Sequence, residues 1–330
     1  MDLPGEPGGL NAAPSKGIVA GALAQGVKDT TAADRGALLV SGHVNVDHFL
    51  YVRRFPGPDR TEPILSERRV LGGTAANIAR VAASYGIRTG LRARIGGDFP
   101  REFLRALRAS HVDTRGVEMV RNELTPTCYI TVDNRHQQRT LIEQGSMADE
   151  PPDGPRARDR GAAGYSWVHV TTGGPRWQIA LAEDARQRGA RVAADPAQEI
   201  HYRWDGGALR RLLRMSEILF GNRHEIARAV EVLKLHRSSD LLEFVPLVVE
   251  TRGRRGARAY SRTETVEVPA AGHRLVQSYV GSGDAFRAGF YAGWFEGLPL
   301  RGALEAGTRA AARWIEGRSV PAIVAGPSSV

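Results

Sequence analysis

The run Val280-Gly281-Ser282-Gly283-Asp284 opens directly onto the apolar stretch Ala285-Phe286-Arg287-Ala288-Gly289-Phe290. Glycines on either side of a small hydroxyl residue leave backbone N–H groups unobstructed. At a helix start those groups, reinforced by the helix dipole, gather negative charge. Phosphoryl transfer needs such an arrangement, because charge builds on the migrating group. Asp284, at the same helix start, could orient an acceptor hydroxyl and take its proton. The same string also reads as a plain Gly-rich helix entry with an acidic first turn.

A second run, Leu71-Gly72-Gly73-Thr74-Ala75-Ala76-Asn77, again sets paired glycines ahead of a small-residue helix. Gly72 and Gly73 let backbone approach a ligand, and the Asn77 amide can both donate to and accept from a hydroxyl. Upstream, Leu38-Leu39-Val40-Ser41-Gly42-His43-Val44-Asn45-Val46-Asp47 reads as a buried strand over about 37–46 whose polar end carries Asn45 and Asp47. Strand ends are where α/β sheets meet their ligands. Asn222, after the apolar Ile218-Leu219-Phe220, reads as a helix N-cap, with Glu225 completing a capping box. Leu247-Val248-Val249-Glu250-Thr251 leads through Gly253 and Gly256 into another strand, a pattern that any hairpin could share.

The elements that must hold these residues follow from apolar runs and turn signals. Strands at about 37–46, 91–95, 165–171, 190–195, 217–221 and 246–251 alternate with helices at about 75–86, 100–110, 177–189, 206–215, 223–236, 284–296 and 301–316. Such alternation predicts an α/β protein with a mostly parallel central sheet and helices on both faces. The stretches at about 49–70 and 117–144 are β-rich without helices and read as a small sheet folding over the acceptor site. Residues 1–36 read as a flexible extension ahead of a domain spanning 37–330. Residues 149–161, rich in Pro, Asp and Arg, read as an exposed loop.

From about residue 37 to about 318 the chain resembles the ribokinase-like (phosphofructokinase B) family of small-molecule kinases, on Asp47, the Gly-Gly-x-x-x-Asn run and Gly281-Ser282-Gly283-Asp284. The resemblance implies a three-layer kinase fold with a β lid. It implies that Asp47, Gly72, Gly73 and Asn77, with Asn45 as helper, bind the acceptor. It further implies that Gly281, Ser282 and Gly283 form an anion hole beside the catalytic base Asp284. Asn222, Thr251, Gly253 and Gly256 would then face ATP, and Glu225 would have an indirect part in organising Mg²⁺. A monovalent cation and a homodimer built through the lid are further family traits. The segments Tyr165–Pro175 and Val192–Ile200 look most like the archaeal nucleoside-kinase branch, which makes a nucleoside the expected acceptor and ATP the donor. A free sugar, inositol or sugar phosphate as acceptor, or a non-catalytic ligand sensor on the same fold, are the alternatives. Two departures stand out: Ser278-Tyr279-Val280 replaces the family's Asp-Thr-Thr, removing the acidic side chain of the cation loop, and Thr74 stands where ribokinases often have Lys.

Composition is compatible with these expectations. A chain of 330 residues with 42% hydrophobic content can bury one large core. The single Cys128, flanked by Thr127 and Tyr129, reads as a packing residue and points to a reducing cytoplasm. The net charge of +9 comes almost wholly from Arg, Lys occurring only at 16, 28 and 234. Its even spread along helices argues against a nucleic-acid stripe. The histidines lack zinc-site pairing, and no apolar run approaches the length of a membrane span.

Overall fold

A computed structural model describes residues 36–135, 137–148 and 164–320. The expected extension, Gly36 apart, and the expected loop at 149–161 lie outside the described residues. A nine-stranded sheet runs in the order β13-β12-β11-β10-β9-β8-β1-β4-β5. Its strands are β1 (Leu38–Ser41), β4 (Thr89–Gly96), β5 (Val112–Val120), β8 (Trp167–Val170), β9 (Arg191–Ala194), β10 (Ile218–Asn222), β11 (Leu247–Thr251), β12 (Ala257–Ser261) and β13 (Thr265–Val268). From β5 to β11 every neighbour is parallel; β12 alone runs against them, and β13, antiparallel to β12, returns to their direction.

The pleat sorts strand side chains into two cores, because successive residues face opposite sides. Leu38, Val40, Ile218, Phe220 and Val249 join one core with α1 (Thr74–Ser84), α2 (Arg101–Ala109), α6 (Ser282–Phe295) and α7 (Leu300–Ile315). Leu39, Val168, Val192, Leu219 and Val248 join the other with α3 (Pro175–Gln187), α4 (Gly206–Met215) and α5 (Arg223–Val232). Near-continuous apolar strands are what a sheet covered on both faces requires. On α2, Phe103 and Leu107 sit four residues apart on one face and are fully buried, contributing about 1.5–3 kcal/mol each.

A second sheet, in the order β3-β2-β6-β7, is formed by β2 (Asn45–Val52), β3 (Ile64–Gly72), β6 (Thr127–Val132) and β7 (Gln138–Glu143). Two expectations change here. The strand expected over 37–46 stops at Ser41; the chain leaves at Gly42 and His43, and Asn45 and Asp47 open β2 of the smaller sheet instead. The apolar pattern hides the break because Val40 and Val46 are buried on either side of it and Val44 is buried within it. At the other end, Val117–Val120 pair with Ala93–Gly96 of β4, so that part of the expected lid is the edge of the large sheet. Half-buried edge strands of either sheet carry the same alternation.

Candidate active site

The C-terminal ends of the parallel strands converge on one edge, where open α/β sheets place their ligands. Asn222 and Thr251 stand side by side there in register at the ends of β10 and β11. They belong to a cleft of about 880 Å³ that also takes in Gly253, Gly256, Tyr279, Gly281, Ser282, Gly283, Asp284 and Arg287. Gly281, the N-cap of α6, has φ 84°, a left-handed conformation that only glycine adopts freely, and a Cβ there would meet the Trp314 ring at 2.6 Å. The Ser282 N–H donates to the Tyr279 carbonyl at 3.1 Å. The N–H groups of Gly281, Gly283 and Asp284 have no protein acceptor among the described residues and are free to receive an anion.

Asp284 sits in the first turn of α6 with its carboxylate partly open to the cleft. Its Oδ2 accepts a 2.9 Å hydrogen bond from Asn77 Nδ2 on α1. Burial pushes its pKa up to about 7; Arg287 and Asn77 oppose this and the Asp195 and Glu225 carboxylates add to it. A base poised near neutrality suits abstraction of a hydroxyl proton. Asn77, expected at the acceptor, is thus tied to Asp284.

Asp47, on β2 of the smaller sheet, does not line this cleft but lies close enough to Asp284 for the two charges to act on each other. Burial, then the Asp284 charge, raise its pKa to about 7, while a hydrogen bond from Cys128 works against the rise. In register with Asp47 on the neighbouring β6, Cys128 also accepts from Asn45 Nδ2 at 3.1 Å. Burial and Asp47 push the thiol up to about 12, so it remains a protonated donor. Asp47 Oδ1 and Asn45 Oδ1 are buried without a partner among the described residues, and so are able to accept hydrogen bonds from a ligand. Gly72 makes room for this, since a Cβ there would run into the Asp47 carboxylate. Gly73, at φ 97°, brings the chain against the His43 carbonyl and the Asn45 N–H. The rim is tied to the large sheet by Gln144, just past β7, which meets His43 Nε2 at 2.7 Å and Tyr202 Oη at 3.0 Å.

Glu225 closes the capping box: its Oε2 accepts from the Asn222 N–H at 2.7 Å, and Asn222 Oδ1 accepts from Glu225 N–H at 3.0 Å. Among the described residues no group of three His, Cys, Asp or Glu side chains is placed to hold a metal. Glu225 and Asn222, oxygen donors at the cleft, are of the kind that would hold a Mg²⁺ carried in on nucleotide phosphates. The cation loop fits less well. Ser278 Oγ accepts from the Val280 N–H at 3.1 Å and the Val280 carbonyl from Trp314 Nε1 at 2.6 Å, so both oxygens are already engaged.

Sequence reasoning passed over the residues behind Asp284. Arg287, one turn after Asp284 on α6, donates from Nη2 to Asp195 Oδ1 at 2.7 Å and pairs through Nε with Asp195 Oδ2. Its Nη2 also lies 3.8 Å from Glu225 Oε2. Asp195 accepts from His169 Nε2 at 3.2 Å, and His169 Nδ1 accepts from the Tyr291 hydroxyl at 2.8 Å. The available signals were an Arg in the otherwise apolar Ala285–Phe290 and a His in the apolar β8.

Residues 36–321 match the pfkB family of carbohydrate kinases. The nucleoside kinase of Methanothermobacter thermautotrophicus is 32% identical over 271 residues, which are 80% of this chain and 84% of that protein. The ATP-dependent ribose-1-phosphate kinase of Halopiger xanaduensis is also 32% identical, over 81% of this chain and 88% of its own. The crystal structure of the Methanocaldococcus jannaschii nucleoside kinase, an archaeal member of the ribokinase family, superimposes with a TM-score of 0.77 at 26% identity, covering 87% of this chain and 96% of that one. Among the described residues no helix is long and apolar enough to cross a membrane.

Proposed function

Because the chain belongs to the pfkB family of carbohydrate kinases and is a small-molecule kinase acting on a nucleoside or sugar with ATP as donor, we propose that its acceptor is a nucleoside and that Asp284 is the general base. One observation carries the reading: a carboxylate raised to about 7 shares a helix start with the unpartnered N–H groups of Gly281 and Gly283. Asp47 and Asn45 would hold a pair of sugar hydroxyls through the buried oxygens that no protein group occupies. The remaining hydroxyl then points at Asp284. As the acceptor oxygen bonds to the γ-phosphorus, its proton passes to the Asp284 carboxylate. The bond to the bridging oxygen breaks, and its electron pair stays on ADP. The free N–H groups at the start of α6 receive the charge on the phosphoryl oxygens as it develops. When bound on the donor phosphates beside Glu225 and Asn222, Mg²⁺ supplies charge neutralisation.

A sugar phosphate is the second reading, supported by the similarity to the ribose-1-phosphate kinase. A screen of ribonucleosides, free sugars, inositol and ribose 1-phosphate with ATP, reading ADP release, decides between them. Turnover on nucleosides is the expected result; turnover confined to ribose 1-phosphate or free sugars moves the assignment to the second class.

A further inference from the structure

We propose that Arg287 is a catalytic residue of phosphoryl transfer, its Nη1 donating to an oxygen of the migrating phosphoryl group while Asp195 grips the other edge of the guanidinium. The inference rests on the proposed phosphoryl transfer at Gly281–Asp284 and adds a side chain to it.

A guanidinium inside an apolar helix must be paired, since an isolated buried charge is prohibitively expensive. Arg287 is 5% exposed; its Nη2 donates to Asp195 Oδ1, and its Nε lies in ion-pair contact with Asp195 Oδ2. Nη1 is different. It donates to no protein acceptor among the described residues, and it lies 3.0 Å from where a Gly283 Cβ would stand, at the wall of the cleft. The one free corner of the fork is therefore beside an N–H of the anion hole. A side chain at 283 would close that corner off, which gives Gly283 a reason beyond backbone freedom.

The mount is rigid. Tyr291, one turn beyond Arg287 on α6, bonds His169 on β8; His169 bonds Asp195 after β9; and Asp195 returns to Arg287. This ring, closed through the helix and entirely buried, fixes the fork before any ligand arrives, which is what makes an electrostatic group effective in a transition state. A pair kept for packing alone would have both edges of the guanidinium satisfied by protein. Here a planar donor fork, suited to phosphate, is satisfied on one edge only. During transfer Arg287 stays protonated: the new bond joins the acceptor oxygen to phosphorus, the old bond gives its electrons to ADP, and the proton goes to Asp284.

The test compares wild type with Arg287→Met, using the best acceptor from the screen. Turnover should fall about 10²–10³-fold while ADP affinity changes by less than about threefold. Binding of ADP with aluminium fluoride in the presence of acceptor, a mimic of the flying phosphoryl group, should weaken by the same large factor as turnover. Turnover within about threefold of wild type, or equal weakening of ADP and of the aluminium fluoride complex, would overturn the proposal. Should Arg287→Met fail to fold with Asp195 left unpaired, the double variant Asp195→Asn/Arg287→Met removes both buried charges and is read in the same way. Asp284→Asn run in parallel keeps the two readings apart. Full activity there sinks the base assignment, whereas an inactive Asp284→Asn beside a normal Arg287→Met sinks only the arginine.

Discussion

The phosphoryl end of the site and its hydroxyl-reading end are built on opposite plans. At the first, Asp195 and Glu225 share one guanidinium, Arg287, and Asp284 is held by Asn77. These charges are engaged within the protein before a ligand arrives. At the second, no cation acts on Asp47 among the described residues: Asp47 and Asn45 are held by a neutral thiol, and an oxygen of each is buried with no described group to accept from. A preorganised end stabilises developing charge, whereas an unfinished end waits for the molecule that completes it. Rate should therefore reside in the first and selectivity in the second.

The strongest blow to that division is Asp284→Asn, which keeps size and hydrogen bonding but removes proton acceptance. Steady-state turnover should fall about 10²–10⁴-fold with nucleotide affinity little changed; near-normal turnover would show that the preorganised end is not where the chemistry happens. Next comes Asp47→Ala. It should cost about 100-fold in kcat/KM for a ribonucleoside and abolish the preference of the native protein over the 2′-deoxy analogue, because the group that reads the hydroxyl pair is gone. Equal use of ribo and deoxyribo forms by the native protein would break the comparison at this end.

Acidity sharpens it further. Both carboxylates are raised to about 7, and in the proposed mechanism each works in its ionised form. Activity is thus lost as pH falls through about 7, not near the ordinary carboxylate value. Below that point kcat/KM should drop with a slope approaching 100-fold per pH unit, and Asp47→Asn should reduce the slope to about tenfold per unit while leaving the limb of the base in place. A limb near pH 4 would contradict the burial of both groups. The smallest effect expected is that of potassium. With Ser278 in place of an acidic side chain and two loop oxygens already engaged, exchange of K⁺ for Na⁺ should alter initial rates by less than about threefold. Strong activation would mean that the remaining carbonyls suffice.

What could be read in the chain depended on the range of the signal. Glycine-bracketed helix starts are local, and so Gly72, Gly73, Asn77 and Gly281–Asp284 could be singled out without a structure. The period of the strands gave the layers for the same reason. The handover at Ser41 was invisible, because buried residues continue across it and only the change of sheet turns Asn45 and Asp47 into lid residues. The Asp195–Arg287 and His169–Tyr291 pairs are 92 and 122 residues apart, and no local pattern joins partners at that distance. Cys128 read as ordinary packing because nothing in Thr127-Cys128-Tyr129 shows that Asp47 is its cross-strand neighbour.

Asp47 and Asp284 belong to different sheets: the first rides on β2, the second on the helix packed against the nine-stranded body. A molecule must be long enough to touch both before the base has anything aligned to attack with. Water can reach Asp284, but it spans nothing and leaves Asp47 unanswered. The split between the sheets would act as a safeguard, so that an idle enzyme holding ATP hydrolyses little of it and commits the phosphoryl group only once a true acceptor bridges the gap.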